Sequence, residues 1–389
     1  MNPSRREGTF QWLAVMAAAV LGVLVVAGLM STRLAHRGGV SLGAASAAAT
    51  ATATSRPAGD YGPAPAGVNL IWVHDPNHAT WLMGYDWSGR PRGTLKLATP
   101  GKPNYPVRMS PDGQYLSIIE GDLPPAANGH YGPGGPFQVL DRLGRPVFSA
   151  PADTNPLYGL LWADDSRHAC ATTQDPVSSR QELWVADVGR GTTTVTQIAR
   201  DQGLGRTPRY VLACSVLNDR VIEVPYGESA TSDVWVLRLS DAKVLSHHTY
   251  KTGADMVIGA SPDGDYISEI AATGRSTQIR RVSDWSVVTT LADTQVLRFS
   301  GDASRVFVTP IDSKGNTTRV ADVDWRTGRA VWTVGKTVFV PDTNAIAEPG
   351  SPAFAVAIPT VWGQHYPADV TIVGGDGTTL DLGTYINAF

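Results

Sequence analysis

The chain is poor in charge, almost without cysteine, and has no block of basic residues. Only 17% of its 389 residues are Asp, Glu, Lys or Arg, the formal net charge is −3, and the pI is about 6.2. Nucleic acid is therefore not an expected partner. Also missing are His-Glu-x-x-His, the phosphate-binding loop and Cys-x-x-Cys. Each of these would have placed a zinc, nucleotide or redox centre from sequence alone. In their place stand 40 Gly and 27 Pro in a chain that is 42% hydrophobic. That composition favours many turns between short strands over long amphipathic helices. The length suits one large domain or two ordinary ones.

The N-terminus reads apart from the rest. Residues 12–30, WLAVMAAAVLGVLVVAGLM, carry no charge. As a helix rising about 1.5 Å per residue, such a run nearly spans a hydrocarbon core of roughly 30 Å. It is read as a signal anchor over residues 11–31, behind a short cytoplasmic tail at 1–10. A cleaved signal peptide, leaving a secreted protein, is the alternative. The small-residue string at 43–50 lies well past the apolar run, which favours retention. Arginines flank both sides, at Arg5 and Arg6 and at Arg33 and Arg37, so charge alone does not orient the helix. The C-terminal bulk reads as the exported side. Residues 32–67 are rich in Ala, Thr and Pro with few large apolar side chains, which predicts a flexible tether.

From residue 68 the chain repeats itself. RMSPDGQYLSII (108–119) returns as GASPDGDYISEI (259–270). Ser-Pro-Asp-Gly between alternating apolar runs reads as a hairpin turn: Pro fixes φ, Asp accepts from backbone N–H groups and Gly supplies positive φ. Degenerate copies centre on Asp-Asp-Ser (164–166), Asn-Asp (218–219), Gly-Asp-Ala-Ser (301–304) and Glu-Pro-Gly (348–350), making six such turns. A second hairpin type, apolar-x-Asp followed by a short polar loop, occurs seven times, at Asp86, Asp141, Asp187, Asp241, Asp284, Asp324 and Asp376. Its spacing of about 40–55 residues is that of a four-stranded propeller blade. The pairing of these two hairpins resembles the WD40-like, TolB-type β-propeller repeats of bacterial exported proteins. The resemblance covers residues 68–389 and implies an all-β, seven-bladed propeller, with six or eight blades as alternatives. No blade carries the Gly-His and Trp-Asp pair of eukaryotic WD40 repeats.

Seven outer hairpins against six inner ones leave the first blade without its innermost strand. The apolar C-terminal run at 383–389 is expected to supply it and so close the ring. Cys170 and Cys214 fall on neighbouring blades, where a disulfide and two buried thiols are both open readings. Trp87, Trp184, Trp235, Trp285 and Trp325 recur near the Asp of the outer hairpins, which predicts that they pack between blades or cap the sheet. The vicinal His247 and His248 are expected on the surface.

Both turn types belong to one face of a propeller, so function is sought on the other, where longer and more varied loops gather. The first blade offers His74 and His78; the second, His130 and Tyr131; the fourth, Tyr226 and Glu228; the seventh, Trp362, His365 and Tyr366. In a closed ring, blades seven, one and two are neighbours, which would bring His74, His78, His130 and His365 to one side. Aromatic and His side chains on loops suit recognition of an envelope protein, peptide or glycan. The reading is a non-enzymatic scaffold or sensor, anchored in the membrane, with no cofactor, metal or catalytic residue assigned. The alternative is a metal-dependent lyase, lactonase or hydrolase using the histidines of that face.

Overall fold

Among the described residues of the computed structural model, short alternating runs bounded by Gly, Asp and Pro become 27 strands, and no helix occurs. The structure describes residues 59–385 except Pro76, Ala79 and the segments 98–107, 120–136, 150–159, 175–180, 199–208, 226–232, 250–255, 271–274, 312–318, 335–343 and 361–366. The chain divides into two units, residues 1–39 and 40–389, and all described residues belong to the second. The apolar run at 12–30 and most of the tether lie outside them. Among the described residues no helix is long and apolar enough to cross a membrane.

The strands form seven antiparallel sheets in chain order. Blade one has three strands, β1 (Leu70–His74), β2 (Trp81–Asp86) and β3 (Pro91–Lys96); the other six have four each. Blade two holds β4 (Arg108–Met109), β5 (Tyr115–Ile119), β6 (Phe137–Asp141) and β7 (Pro146–Ser149). Blade three holds β8 (Leu161–Trp162), β9 (His168–Gln174), β10 (Gln181–Asp187) and β11 (Thr192–Gln197). Blade four holds β12 (Arg209–Ser215), β13 (Arg220–Pro225), β14 (Asp233–Arg238) and β15 (Val244–Thr249). Blade five holds β16 (Met256–Ala260), β17 (Tyr266–Ile270), β18 (Ser276–Arg281) and β19 (Val287–Ala292). Blade six holds β20 (Thr294–Phe299), β21 (Arg305–Pro310), β22 (Ala321–Asp324) and β23 (Arg329–Thr333). Blade seven holds β24 (Asn344–Ala347), β25 (Phe354–Pro359), β26 (Ala368–Val373) and β27 (Thr379–Tyr385). The protein is a seven-bladed β-propeller.

Turn chemistry sets these boundaries. In the inner hairpin of blade two, Ser110 Oγ donates to Asp112 Oδ1 (2.6 Å), and Asp112 Oδ1 accepts the Gln114 N–H (3.0 Å). The Tyr115 N–H returns to Ser110 Oγ (3.0 Å). Ser261 with Asp263 and Ser300 with Asp302 repeat the arrangement. Gly113 has φ +69°, and a Cβ there would stand 2.2 Å from the Leu70 carbonyl oxygen of blade one. Glycine is thus required twice over, by backbone and by space. In the outer hairpins the Asp accepts from the N–H two residues on, as at Asp86, Asp141, Asp284 and Asp376. Burial alone would raise the Asp86 and Asp141 carboxyls, but hydrogen bonds from Ser88, Arg90 and Arg92, and from Leu143 and Arg145, hold them below the usual carboxylate range.

The core is a set of layers between blades. Seven buried clusters each draw on two adjacent blades, and together they run right round the ring. Aromatic pairs bridge neighbours: Phe148 with Trp184, Tyr266 with Trp325, Phe307 with Phe354 and His248 with Trp285. Trp184, Trp235 and Trp325 are buried and Trp87 and Trp285 half-buried, as an interblade role requires. His247 is exposed but His248 is half-buried over Trp285, so only the first is the surface residue expected.

Two expectations are corrected. Residues 383–385 do not build an inner strand for blade one: they continue β27, the outer strand of blade seven, with Gly383, Thr384 and Tyr385 opposite Val370, Asp369 and Ala368. The reason is length. β26 begins at Ala368, and its partner must run on to Tyr385 to cover it; residues 386–389 lie outside the described part. The ring is instead closed by side chains, Ile71, Val73, Met83 and Tyr85 of blade one packing on Val370, Ile372, Leu382 and Tyr385 of blade seven. The tether also ends earlier than residue 67. Gly62 O accepts the Thr94 N–H (2.7 Å), Arg142 Nε donates to Ala64 O (2.9 Å), and Ala64 is buried. Residues 59–64 thus lie along the outer strand of blade one, where Gly93 leaves the room: a Cβ there would meet Ala64 N at 2.5 Å.

Candidate binding site

On the loop face, the connection between β1 and β2 of blade one keeps its shape through one buried carboxylate. Asp75 Oδ1 accepts the Asn77 N–H (2.7 Å), and Asp75 Oδ2 lies 3.1 Å from His78 Nδ1. The exposed His78 ring stacks on Trp81 at 4.2 Å, and Lys96 Nζ sits 4.4 Å from a Trp81 ring centroid. His78 is therefore a presented, oriented imidazole on an aromatic and cationic background. His74 ends β1 and is half-buried. The remaining candidates, His130, Tyr131, Tyr226, Glu228, Trp362, His365 and Tyr366, lie outside the described residues. Among the described residues no group of three or more His, Cys, Asp or Glu is placed to hold a metal.

A second group lies between blades three and four, toward the same face. Val211, Glu223, Trp235 and His247 oppose one another across β12, β13, β14 and β15. Directly opposed residues share a face, as do residues two apart, so Arg209 and Asp233 join them. That face looks at blade three, where Thr172 Oγ1 donates to Glu223 Oε1 (3.2 Å). Nearer the turn face the same layer is apolar and holds the Cys170–Cys214 disulfide, with Cα atoms 6.2 Å apart. A bridge that closes a loop of 44 residues removes about 4 kcal/mol of chain entropy from the unfolded state. It also pins together the two blades that carry the polar group.

The polar end of this layer is incompletely satisfied. Arg209 is 3% exposed and Glu223 0% exposed. Among the described residues, Arg209 Nε and Nη1, Glu223 Oε2 and Asp233 Oδ1 make no hydrogen bond, although His247 Nε2 approaches Asp233 Oδ1 to 3.4 Å. The guanidinium lies 5.0 Å from a Trp235 ring centroid, and His247 stacks on Trp235 at 3.9 Å. Burial pushes the Glu223 carboxyl up to about 7, against the pull of Arg209 and the Thr172 hydrogen bond. Burial likewise lowers Arg209, with Glu223 and Asp233 opposing. Leaving such groups unpaired costs free energy that a polar guest recovers. The arrangement offers N–H donors beside a carboxyl that exchanges its proton near neutrality.

None of Arg209, Glu223, Asp233 or Trp235 stands out as a site residue in the sequence. The signal is there in RVIEVP (220–225), where Glu223 interrupts an apolar strand that has blades on both sides. A charge in a central strand calls for a partner or a ligand.

No protein-family model and no curated protein sequence matches this chain. Solved structures of similar fold include Kluyveromyces lactis Hsv2, at 11% identity and TM-score 0.48, covering 82% of this chain and 94% of that one. They include the dihydro-heme d1 dehydrogenase NirN in complex with DHE, at 15% identity and TM-score 0.45, covering 84% and 66%. A structure of the eukaryotic initiation factor matches at 17% identity and TM-score 0.44, covering 87% and 91%. At such identities no activity, ligand or partner carries over.

Proposed function

We propose that the chain is a membrane-tethered, extracytoplasmic propeller of the WD40-like, TolB-type kind. It acts as a non-enzymatic scaffold or sensor that binds an envelope protein, peptide or glycan on its loop face. The observation that carries this reading is the contrast between the two faces. The turn face is built from repeated Ser, Asp and Gly whose hydrogen bonds are made largely within the turns themselves. The loop face presents His78 on Trp81 and leaves Arg209 and Glu223 with unused capacity beneath it. An N-terminal anchor on a tether raises the effective concentration of the propeller for partners at the same membrane.

One observation keeps a second reading, a metal-dependent lyase, lactonase or hydrolase. A carboxylate that orients an imidazole, as Asp75 does His78, is also what metal-binding histidines use. Elemental mass spectrometry on protein purified without a His tag or chelator separates the two. The scaffold reading predicts no stoichiometric metal. One zinc, copper or calcium per chain, lost from His130→Ala and His365→Ala, would replace it with the enzyme reading.

A further inference from the structure

Six blades carry an innermost strand, and in each the chain enters its inner hairpin at an equivalent residue. These are Ser110, Ala163, Ser215, Ser261, Ser300 and Glu348, each paired to the residue five positions on. Two positions earlier, at one level of the ring, stand Arg108, Leu161, Ala213, Gly259, Arg298 and Ile346. Four of these are uncharged and two are arginines, on blades two and six. Blade one, which lies with blade seven on the arc between them, has no innermost strand among the described residues.

Both guanidinium side chains are exposed to solvent, whereas Ser110 and Ser300 beside them are buried. Neither arginine makes an ion pair among the described residues. Arg108 Nη1 has one long contact to the Leu160 carbonyl (3.4 Å), and the Arg298 guanidinium makes no hydrogen bond among the described residues. Water reaches them, yet protein surrounds them. Burial lowers the pKa of both, that of Arg298 to about 10, and the charge of Arg108 adds to the effect on Arg298. The two cations therefore face one enclosed, wet space without a counter-charge among the described residues. In such a space a positive field is focused rather than screened.

We propose that the central channel binds a small dianion, of phosphate or dicarboxylate type, between Arg108 and Arg298 at the level of the inner turns. Guanidinium groups form short, charge-assisted hydrogen bonds to oxyanions, and a monovalent ion would neutralise only one of the pair. The site lies on the innermost strands and is independent of the loop face.

The test is thermal unfolding of the full-length protein, in detergent, at fixed ionic strength. Inorganic phosphate, succinate and acetate are the added anions. The expected result is a saturable rise in Tm with phosphate or succinate and none with acetate. A response to phosphate alone identifies a compact oxyanion; a response to succinate alone identifies a two-ended dicarboxylate. Arg108→Gln and Arg298→Gln should each weaken the response about tenfold or more. Each should also raise the Tm of the anion-free protein, because a like-charge repulsion is removed. A wild-type Tm that follows ionic strength alone overturns the proposal, whatever the variants do. So does a variant that melts lower than wild type and keeps the full anion response.

Discussion

Tyr385→Ala is expected to destabilise the propeller by about 3–5 kcal/mol, the range for deleting a large buried aromatic side chain. Tyr385 is 5% exposed. Its hydroxyl donates to the Leu382 carbonyl (2.8 Å) and shares a second hydrogen bond with the Tyr85 hydroxyl of blade one (2.9 Å). The two rings meet edge to face at 6.2 Å. Deleting the side chain therefore opens a cavity in the layer that closes the ring and leaves a buried hydroxyl on Tyr85 without that bond. Tyr385→Phe keeps the ring and loses only the hydroxyl, so about 1 kcal/mol is expected. Truncation after Leu382 removes residues 383–389 and should cost at least as much as Tyr385→Ala, since part of β27 goes with it. Urea unfolding of the variants measures this as a fall in midpoint. Tyr385→Ala melting like wild type would mean that the blade-one to blade-seven contact is not what closes the ring.

Glu223→Gln is expected to change the pH dependence of stability more than any other single substitution in the blade-three to blade-four layer. The carboxyl moves from an ordinary value of 4.5 to about 7 on folding. A raised carboxyl pKa means that the folded state holds a proton the unfolded state has released. Its contribution is fully present below about pH 4.5 and is lost as pH rises through about 7. The wild type should thus lose on the order of a few kcal/mol across this window that the Gln variant keeps. Below pH 4.5 the two should be close, because Gln mimics the protonated acid and retains an acceptor for Thr172. Above pH 7 the variant should be the more stable. Denaturant midpoints of both proteins at several pH values test this, and curves that run parallel from pH 4 to 8 would contradict it.

The blades were legible in the sequence because turns have strict chemistry. A Ser-x-Asp pair that hydrogen-bonds itself, and an Asp that accepts from the residue two on, leave few other residues at those sites. The repeat of those residues therefore gives the blade count. Ring closure was less legible. The outer strand of blade seven is as long as β26 requires, and that length is a property of the pairing rather than of any residue in 383–385. Gly93 holds the end of the tether in the same way, through a close approach that one glycine in a strand does not announce. The polar group between blades three and four was hidden for another reason. Arg209 and Glu223 sit 14 positions apart in chain order on separate strands, and an isolated charge in a strand reads equally well as a solvent-facing residue. The disulfide stood in between: adjacent blades allowed it, and the fold brings the two cysteines together.

The central claim is that partners are bound by the loop face and not by the turn face. The most direct measurement is photo-crosslinking in intact cells, with a photo-reactive phenylalanine analogue placed at one position at a time. Tyr131 and Tyr366, which stand in chain order between β5 and β6 and between β25 and β26, probe those connections; Ser286 and Arg326, both exposed in outer turns, probe the other face. The account predicts discrete higher-mass adducts from Tyr131 or Tyr366 and none from Ser286 or Arg326. Adducts formed only from the turn positions would contradict it.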